Sequence, residues 1–173
     1  MKSVSDNNHP LVILARKAIE SCLAEKPLPG AADKSGLGEP AGVFVSIKKK
    51  GRLRGCIGTI LPVYPTLVEE VVNNAVSAAT RDPRFPPLIE EELGDITISV
   101  DVLTPPEPVS SLEELDPARY GIIVQKGIRK GVLLPDLPGV DNVEQQVEIA
   151  MNKAGLAPGE EVQLFRFEVK RYY

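Results

Sequence analysis

The sequence has no tryptophan, two cysteines and one histidine, and aromatic residues make up only 5% of its 173 residues. Because a structural zinc site takes roughly four cysteine or histidine ligands, Cys22, Cys56 and His9 are too few to form one. An iron–sulfur cluster needs more thiolates as well. A hydrolase with a serine or cysteine nucleophile needs a histidine base beside it, and His9 follows the polar first residues of the chain. We therefore expect no metal site and no bound cofactor.

A basic excess and long apolar runs are also missing. The formal net charge is −4, which argues against a general affinity for nucleic acid or for anionic membranes. No apolar run approaches the ~20 residues of a membrane span, and residues 1–10 lack the charged-then-apolar layout of a signal peptide. Two cysteines do not make a disulfide framework. These absences predict a cytoplasmic protein in a reducing compartment.

The composition and the periodicity of the apolar residues are typical of one globular domain, 1–173, with 43% hydrophobic and 25% charged residues. They predict an α+β fold, a largely antiparallel sheet packed with three longer helices. The predicted elements are, in order, a helix over 10–25, a hairpin over 43–60, a helix over 65–80, a strand over 96–102, a short helix over 111–115, a hairpin over 120–135, a helix over 141–154 and a strand over 165–169.

Two segments are predicted to lie outside these elements. Residues 1–8 are polar and are expected to fray. Prolines and glycines fill the stretch 27–42, which is typical of a loop. A surface excursion is favoured there over a flap that covers Cys56, because long loops are more often variable surface than lids.

The returning strand of the first hairpin, Leu53–Gly58, carries the main functional hypothesis. If its side chains alternate as in a regular strand, Arg54, Cys56 and Gly58 share one face. A neighbouring guanidinium favours the thiolate form of cysteine, and glycines allow a ligand to approach the backbone closely. This pattern indicates a candidate thiol, Cys56, in a site where Arg54, Gly55 and Gly58 bind a small anionic molecule.

Structural packing is the alternative interpretation of the same residues. Free cysteine is among the most buried residue types, and paired glycines can mark a bulge or a tight crossing. From spacing alone packing is the favoured reading of Cys56, and the sequence leaves the choice open. Cys22 falls on the apolar stripe of the first helix and is expected in the core.

The stretch 80–87 is rigid because Pro83, Pro86 and Pro87 restrict its backbone. It holds Asp82, a candidate acid or base, and Arg84, a candidate ligand-binding residue. An internal salt bridge between the two is the equally weighted alternative. Phe85 is expected to fill the core, since aromatic side chains bring a large buried area.

The tip of the first hairpin is basic, with lysines at 48–50 followed by Arg52 and Arg54. A basic ribbon of this kind can follow phosphates, which suggests RNA binding. However, no aromatic side chains interleave with the cations to stack on bases, and lysines at a hairpin tip often protect a sheet edge. Any nucleic-acid binding is therefore predicted to be weak and sensitive to salt.

Three segments, taken together and in this order, are similar to one family: Leu53–Gly58 (LRGCIG), Asp82–Pro87 (DPRFPP) and Lys126–Pro135 (KGIRKGVLLP). The chain resembles the AMMECR domain proteins from about Leu11 to Val169. The resemblance implies an α/β protein of two unequal lobes, with LRGCIG near the cleft between them. It adds Lys126 and Arg129 to the candidate ligand-binding residues.

The resemblance also implies partners. Proteins of this kind are associated with a Memo-like protein and a radical S-adenosylmethionine protein, in a system thought to modify a protein, an RNA or a small molecule. The resemblance shifts the balance at Cys56 from packing towards function. Two functions stay open, a site that acts through Cys56 and a non-catalytic adaptor for a partner protein, and whether the protein is an enzyme is undecided.

Overall fold

The computed structural model describes residues 9–30 and 37–173. The predicted frayed segment 1–8 and the middle of the predicted loop 27–42 lie outside the described residues. The described chain has three α-helices and seven strands, and every strand pairing named below is antiparallel. The predicted α+β fold with a largely antiparallel sheet and three longer helices is confirmed.

The elements follow the predicted order, except that a short strand at Glu107–Val109 and a short helix at Glu90–Asp95 were not predicted. The helices are α1 Pro10–Leu23, α2 Leu67–Thr80 and α3 Val143–Lys153. The strands are β1 Val43–Lys49, β2 Arg52–Gly58, β3 Ile96–Leu103, β4 Glu107–Val109, β5 Tyr120–Lys126, β6 Arg129–Leu133 and β7 Gln163–Tyr172. Two short 3-10 helices lie at Glu90–Asp95 and Leu112–Glu114.

The chain divides into two compact units. The first runs to Val102 and includes Lys170–Tyr173, and the second is Leu103–Val169. The expectation of a single domain over 1–173 stays a prediction.

In the first unit, β1 pairs with β2 on one side and with β3 on the other. Val43, Val45 and Ile47 of β1 are fully buried, whereas the alternate residues Phe44 and Ser46 are half-buried. This alternation places the core on the face that packs against α1 and α2. The predicted hairpin over 43–60 is confirmed as part of the sheet, and its turn lies at Lys50-Gly51, both with positive φ.

The pairing of β1 with β2 contains a bulge. Ile47 lies opposite Gly55 and Lys48 lies opposite Leu53, so Arg54 has no partner across the hairpin. The regular alternation expected along Leu53–Gly58 is therefore interrupted next to Leu53, which is exposed. A bulge adds one residue to a strand and turns its side chain in a new direction.

Helices α2 and α3 begin later than predicted, because the residue before each of them caps its first turn. Helix α2 begins at Leu67, after Pro65, because Thr66 accepts a hydrogen bond from the amide of Glu69. Asn142, and not Asp141, caps α3 in the same way. His9 caps α1 through Nδ1 and stacks on Tyr172 at 3.9 Å between ring centroids.

Two residues expected in the core are only half-buried, Cys22 and Phe85. In place of Phe85, the core receives Leu88, which follows the stretch 80–87 and is 2% exposed. Its amide donates to the carbonyl of Ala79, which ties the segment back to the end of α2.

In the second unit, β5 pairs with both β6 and β7, and β4 pairs with β7. Helix α3 covers β6 closely, since a Cβ on Gly131 would collide with the carbonyl of Ala150. The core of the unit forms between this helix and the strands, with Ile122, Val124 and Ala150 fully buried. Among the helices described, none is both long and apolar enough to cross a membrane.

Candidate functional site

Cys56 lies on β2, directly opposite Ser46 of β1. The Ser46 hydroxyl donates a hydrogen bond to Cys56 Sγ at 3.2 Å, because side chains of directly opposed residues share one face of an antiparallel pair. This is the half-buried face of the hairpin, whereas Gly55 and Ile47 lie on the buried one. Cys56 is therefore half-buried and is not part of the hydrophobic core.

Asp82 holds the backbone of Cys56 in place. Its side chain is 2% exposed, and Oδ2 accepts a hydrogen bond of 2.9 Å from the Cys56 amide. Arg84 donates to the same carboxylate through its backbone amide, Nε and Nη2, at 3.1, 3.0 and 2.7 Å. These hydrogen bonds, those of the Arg84 side chain above all, hold the pKa of Asp82 well below its ordinary value despite burial.

This environment does not favour the predicted acid–base role of Asp82. A carboxyl group that stays ionised into strongly acid solution neither takes up nor releases a proton near neutral pH. Its oxygens are also occupied by four donors. The geometry is that of a positioning residue, and the salt bridge that the sequence left open as an alternative is present.

Arg84 completes the arrangement at the outer edge of β2. Its Nη2 donates to the carbonyl of Cys56 at 3.3 Å, so Asp82 and Arg84 together engage both backbone polar groups of that residue. The guanidinium carbon lies 5.5 Å from the centroid of the Phe85 ring. The pKa of Arg84 is raised, first by its hydrogen bonds to Asp82 and also by the charge of that carboxylate. Its side chain nevertheless stays 55% exposed.

Arg54, the cation expected beside the thiol, is held elsewhere. Its Nε and Nη2 donate to Glu92 at 3.0 and 2.8 Å, and it also donates to the carbonyls of Pro86 and Pro87. The side chain is only 14% exposed. Glu92 and these two carbonyls therefore fix the direction of the Arg54 guanidinium. The guanidinium that binds to Cys56 is that of Arg84.

Glu92 forms ion pairs with two cationic side chains. It binds Arg54 and also the ammonium group of Lys49, at 2.9 Å. Hydrogen bonds from Arg54, followed by those from Lys49 and the amide of Ile89, lower its pKa to about 2 despite burial. The basic tip of the hairpin is thereby neutralised in part, and Lys50 also pairs with Asp95.

Internal packing accounts for both glycines of the motif. A Cβ on Gly55 would collide with the carbonyl of Ala78 in α2, and one on Gly58 would collide with the ring of Phe44. Their side-chain positions are thus filled by the protein itself. Ligand binding by Gly55 and Gly58 stays a prediction, now restricted to their backbone groups.

Lys126 and Arg129 lie in the second unit, at the turn between β5 and β6. Both bind Glu160, at 2.7 and 3.1 Å, and Arg129 also donates to the carbonyl of Gly155. Hydrogen bonding from Lys126, then from the amide of Ala157, lowers the pKa of Glu160 to about 2. The two cations form an ion-pair cluster of their own, and their role in ligand binding stays a prediction, as does the position of LRGCIG near a cleft.

Sequence reasoning missed Ser46 and Glu70. Ser46 reads as an ordinary polar residue of an alternating strand, and only the register of the hairpin reveals its contact with the thiol. Glu70 is fully buried in α2 and accepts hydrogen bonds from Thr59 and from the amides of Val63 and Tyr64. Within residues 9–30 and 37–173, no group of three or more His, Cys, Asp or Glu side chains is arranged to hold a metal ion.

Comparisons with known proteins agree on one family. The family model AMMECR1 matches residues 12–172. A protein of Thermotoga maritima is 55% identical over 134 residues, which cover 76% of this chain and 77% of that protein. A protein of Methanothermobacter thermautotrophicus is 42% identical over 186 residues, covering 97% and 94% of the two chains.

A longer relative and a solved structure extend the comparison. A Clostridium acetobutylicum protein is 44% identical over 175 residues that span 99% of this chain but only 37% of that protein. The crystal structure of the uncharacterized protein PH0010 from Pyrococcus horikoshii superimposes with a TM-score of 0.84 at 36% identity, covering 93% of this chain and 88% of that one. On these grounds the chain belongs to the AMMECR1 family.

Proposed function

We propose that this protein is the thiol-bearing component of a modification system and acts through the sulfur of Cys56. One observation carries the proposal: Cys56 is half-buried on the non-core face of the hairpin, and its backbone is fixed by Asp82 and Arg84. A buried structural cysteine would not need this support. A reactive group does, because its position must be held to a fraction of an ångström.

Two polar side chains lie close to Cys56. The Ser46 hydroxyl donates a hydrogen bond to Sγ. The guanidinium of Arg84 adds a positive charge nearby. Neither Ser46 nor Arg84 is a base at neutral pH, and the pKa of Asp82 is lowered by its hydrogen bonds, so none of the three is suited to take a proton from Cys56.

The partners belong to the proposal as well. We infer that the protein works with a Memo-like protein and a radical S-adenosylmethionine protein, as its family resemblance implies. The length of the Clostridium relative supports an association with a further protein region, since nearly two thirds of that polypeptide has no counterpart in this chain. We place the system in the cytoplasm, where a free thiol stays reduced.

A non-catalytic adaptor is the second candidate, and one observation favours it. Asp82 and Arg84 bind mainly to each other and to the backbone of Cys56, as expected if they only close the free edge of β2. In that case the loop protects the sheet, and the protein would hold a partner or substrate for the radical enzyme.

A substitution at Cys56 distinguishes the two functions. We expect Cys56→Ser to co-purify with the cognate radical enzyme as the unsubstituted protein does, because the change removes one sulfur atom from a half-buried position. We expect the product of the system, followed by mass spectrometry of cell extracts, to disappear. Cys22→Ser is the matched control and should leave both the complex and the product unchanged. Normal product formation with Cys56→Ser would favour the adaptor.

A further inference from the structure

We propose that Arg84 is the anchor for an anionic group on the molecule that reacts with Cys56, and that Asp82 aims this anchor. The inference rests on the proposed function of Cys56 and specifies its substrate class: a small molecule that carries a carboxylate or a phosphate next to an electrophilic carbon. It assigns to Arg84 the role that the sequence pattern gave to Arg54.

The hydrogen-bond inventory of Arg84 leaves part of the guanidinium free. An arginine side chain has five N–H donors. Nε and one hydrogen of Nη2 bind Asp82, and the second hydrogen of Nη2 binds the carbonyl of Cys56. Within residues 9–30 and 37–173, Nη1 makes no hydrogen bond, and the side chain is 55% exposed. Two N–H donors of an ion-paired guanidinium therefore face solvent beside the thiol-bearing residue.

Asp82 gives this exposed arginine a fixed direction. A solvent-exposed arginine ordinarily loses side-chain entropy when it binds a ligand. Here the loss has already been incurred, because a carboxylate that is 2% exposed binds the guanidinium through two of its nitrogens. Such an anchor binds an anion more tightly than a mobile arginine would, since binding requires less ordering.

Arg54 does not have donors free to bind an anion in the same way. Its Nε, Nη1 and Nη2 all donate to Glu92 or to the carbonyls of Pro86 and Pro87. The side chain is also 14% exposed, so a ligand would have to displace an internal carboxylate to reach it. Of the two arginines, Arg84 is therefore the one whose guanidinium is available to a ligand.

The chemical step follows from this placement. An anion on Nη1 brings the adjacent carbon of the same molecule towards Sγ of Cys56. After the thiol has lost its proton to solvent, the thiolate supplies the electron pair of a new carbon–sulfur bond. The bond from that carbon to its leaving group breaks, and the leaving group departs with the bonding pair.

Two alkylating reagents test the anchor directly. Iodoacetate and iodoacetamide share the attacked carbon and the iodide leaving group, and they differ in the charge of the remaining group. Peptide mapping gives the rate at Cys56 and, as an internal reference in the same sample, the rate at Cys22. We expect the iodoacetate-to-iodoacetamide rate ratio to be about tenfold higher at Cys56 than at Cys22, which corresponds to roughly 1.4 kcal/mol.

Variants of the anchor refine the test. Arg84→Gln should bring the ratio at Cys56 down to that at Cys22, and Arg84→Lys should retain part of the preference because it keeps the charge without the fixed fork. Arg81→Gln removes an equal charge from an exposed side chain of the same loop and should leave the ratio unchanged. In the unsubstituted protein, acetate or phosphate should slow the alkylation of Cys56, and the more effective ion identifies the anionic group.

The outcomes separate this inference from the function on which it rests. If Cys56 of the folded protein reacts with neither reagent, the proposed function fails and the inference with it. If Cys56 reacts but its ratio equals that at Cys22, and neither acetate nor phosphate protects it, the anchor is refuted and the reactive thiol stands. The protection measurement needs no substitution, so a variant that fails to fold does not obscure the result.

Discussion

At the scale of single residues, two carboxylates determine where two arginines point. Asp82 directs Arg84 to the backbone of Cys56, and Glu92 draws Arg54 away from it. Both carboxyl groups have lowered pKa values because these arginines donate hydrogen bonds to them. Of these two arginines, Arg84 is therefore available to solvent and Arg54 is internal.

Replacement of Glu92 tests this division. Glu92→Gln leaves the charges of Arg54 and Lys49 without their shared partner, so we expect the free energy of unfolding to fall by roughly 1–3 kcal/mol. Urea unfolding at neutral pH measures the change. The matched variant Glu91→Gln alters an exposed side chain in the same 3-10 helix and should change stability by less than about 0.5 kcal/mol. Equal effects of the two substitutions would refute the role of Glu92.

The difference in stability between the unsubstituted protein and Glu92→Gln also depends on pH. The pKa of Glu92 is about 2 in the folded protein, below its ordinary value of 4.5. Its contribution is therefore fully present above pH 4.5 and is lost as the pH falls from there towards 2. We expect the difference in stability between the unsubstituted protein and Glu92→Gln to shrink over this interval.

At the scale of elements, the site depends on how closely β2 approaches α2. Gly55 faces the carbonyl of Ala78, so no side chain fits between the strand and the helix. The same approach brings the end of α2, and with it Asp82, to the edge of β2 where the amide of Cys56 is found. The packing of Gly55 against α2 therefore helps to set the position of Cys56.

A methyl group at Gly55 tests the close approach. We expect Gly55→Ala to destabilise the fold by roughly 1–3 kcal/mol, because the strand or the helix must move to admit the added carbon. Gly94→Ala is the control, since nothing lies within 4 Å of its added carbon, and it should change stability by less than about 0.5 kcal/mol. Thermal unfolding of both variants measures the effects. An unchanged stability of Gly55→Ala would show that the packing is looser than the structure indicates.

The elements themselves could be predicted from the sequence, and the register within the hairpin could not. The alternation of β1 and the helical stripe of α2 follow from apolar spacing and were confirmed. A regular hairpin with its turn at Lys50-Gly51 pairs Ser46 with Gly55. The bulge shifts this pairing by one residue, so that Ser46 meets Cys56 and Arg54 is left over. No apolar pattern reports such an inserted residue, and none reports that Glu92 binds Arg54.

At the scale of the whole molecule, acidic residues balance the basic hairpin. Lys49 and Arg54 pair with Glu92, and Lys50 pairs with Asp95, so much of the apparent ribbon of positive charge is neutralised internally. Together with the net charge of −4, this supports the expectation that any binding of nucleic acid is weak and lost at physiological salt.

The two cysteines differ in their place in the molecule, although both are half-exposed. Cys22 lies in the last turn of α1, and Cys56 lies on an edge strand between a hydroxyl group and an arginine. If Cys56 were a packing residue, a reagent would reach it only when the first unit unfolds. If it is the functional thiol, the folded protein must expose it.

The rate at which iodoacetamide labels Cys56 in the folded protein therefore tests the central claim most directly. We expect labelling without denaturant, at a rate that rises with pH as the thiolate forms and stays constant through urea concentrations below the unfolding transition. Peptide mapping assigns the label to Cys56. Labelling that begins only where the protein unfolds, and that follows the unfolding transition in urea, would contradict the claim and return Cys56 to a purely structural role.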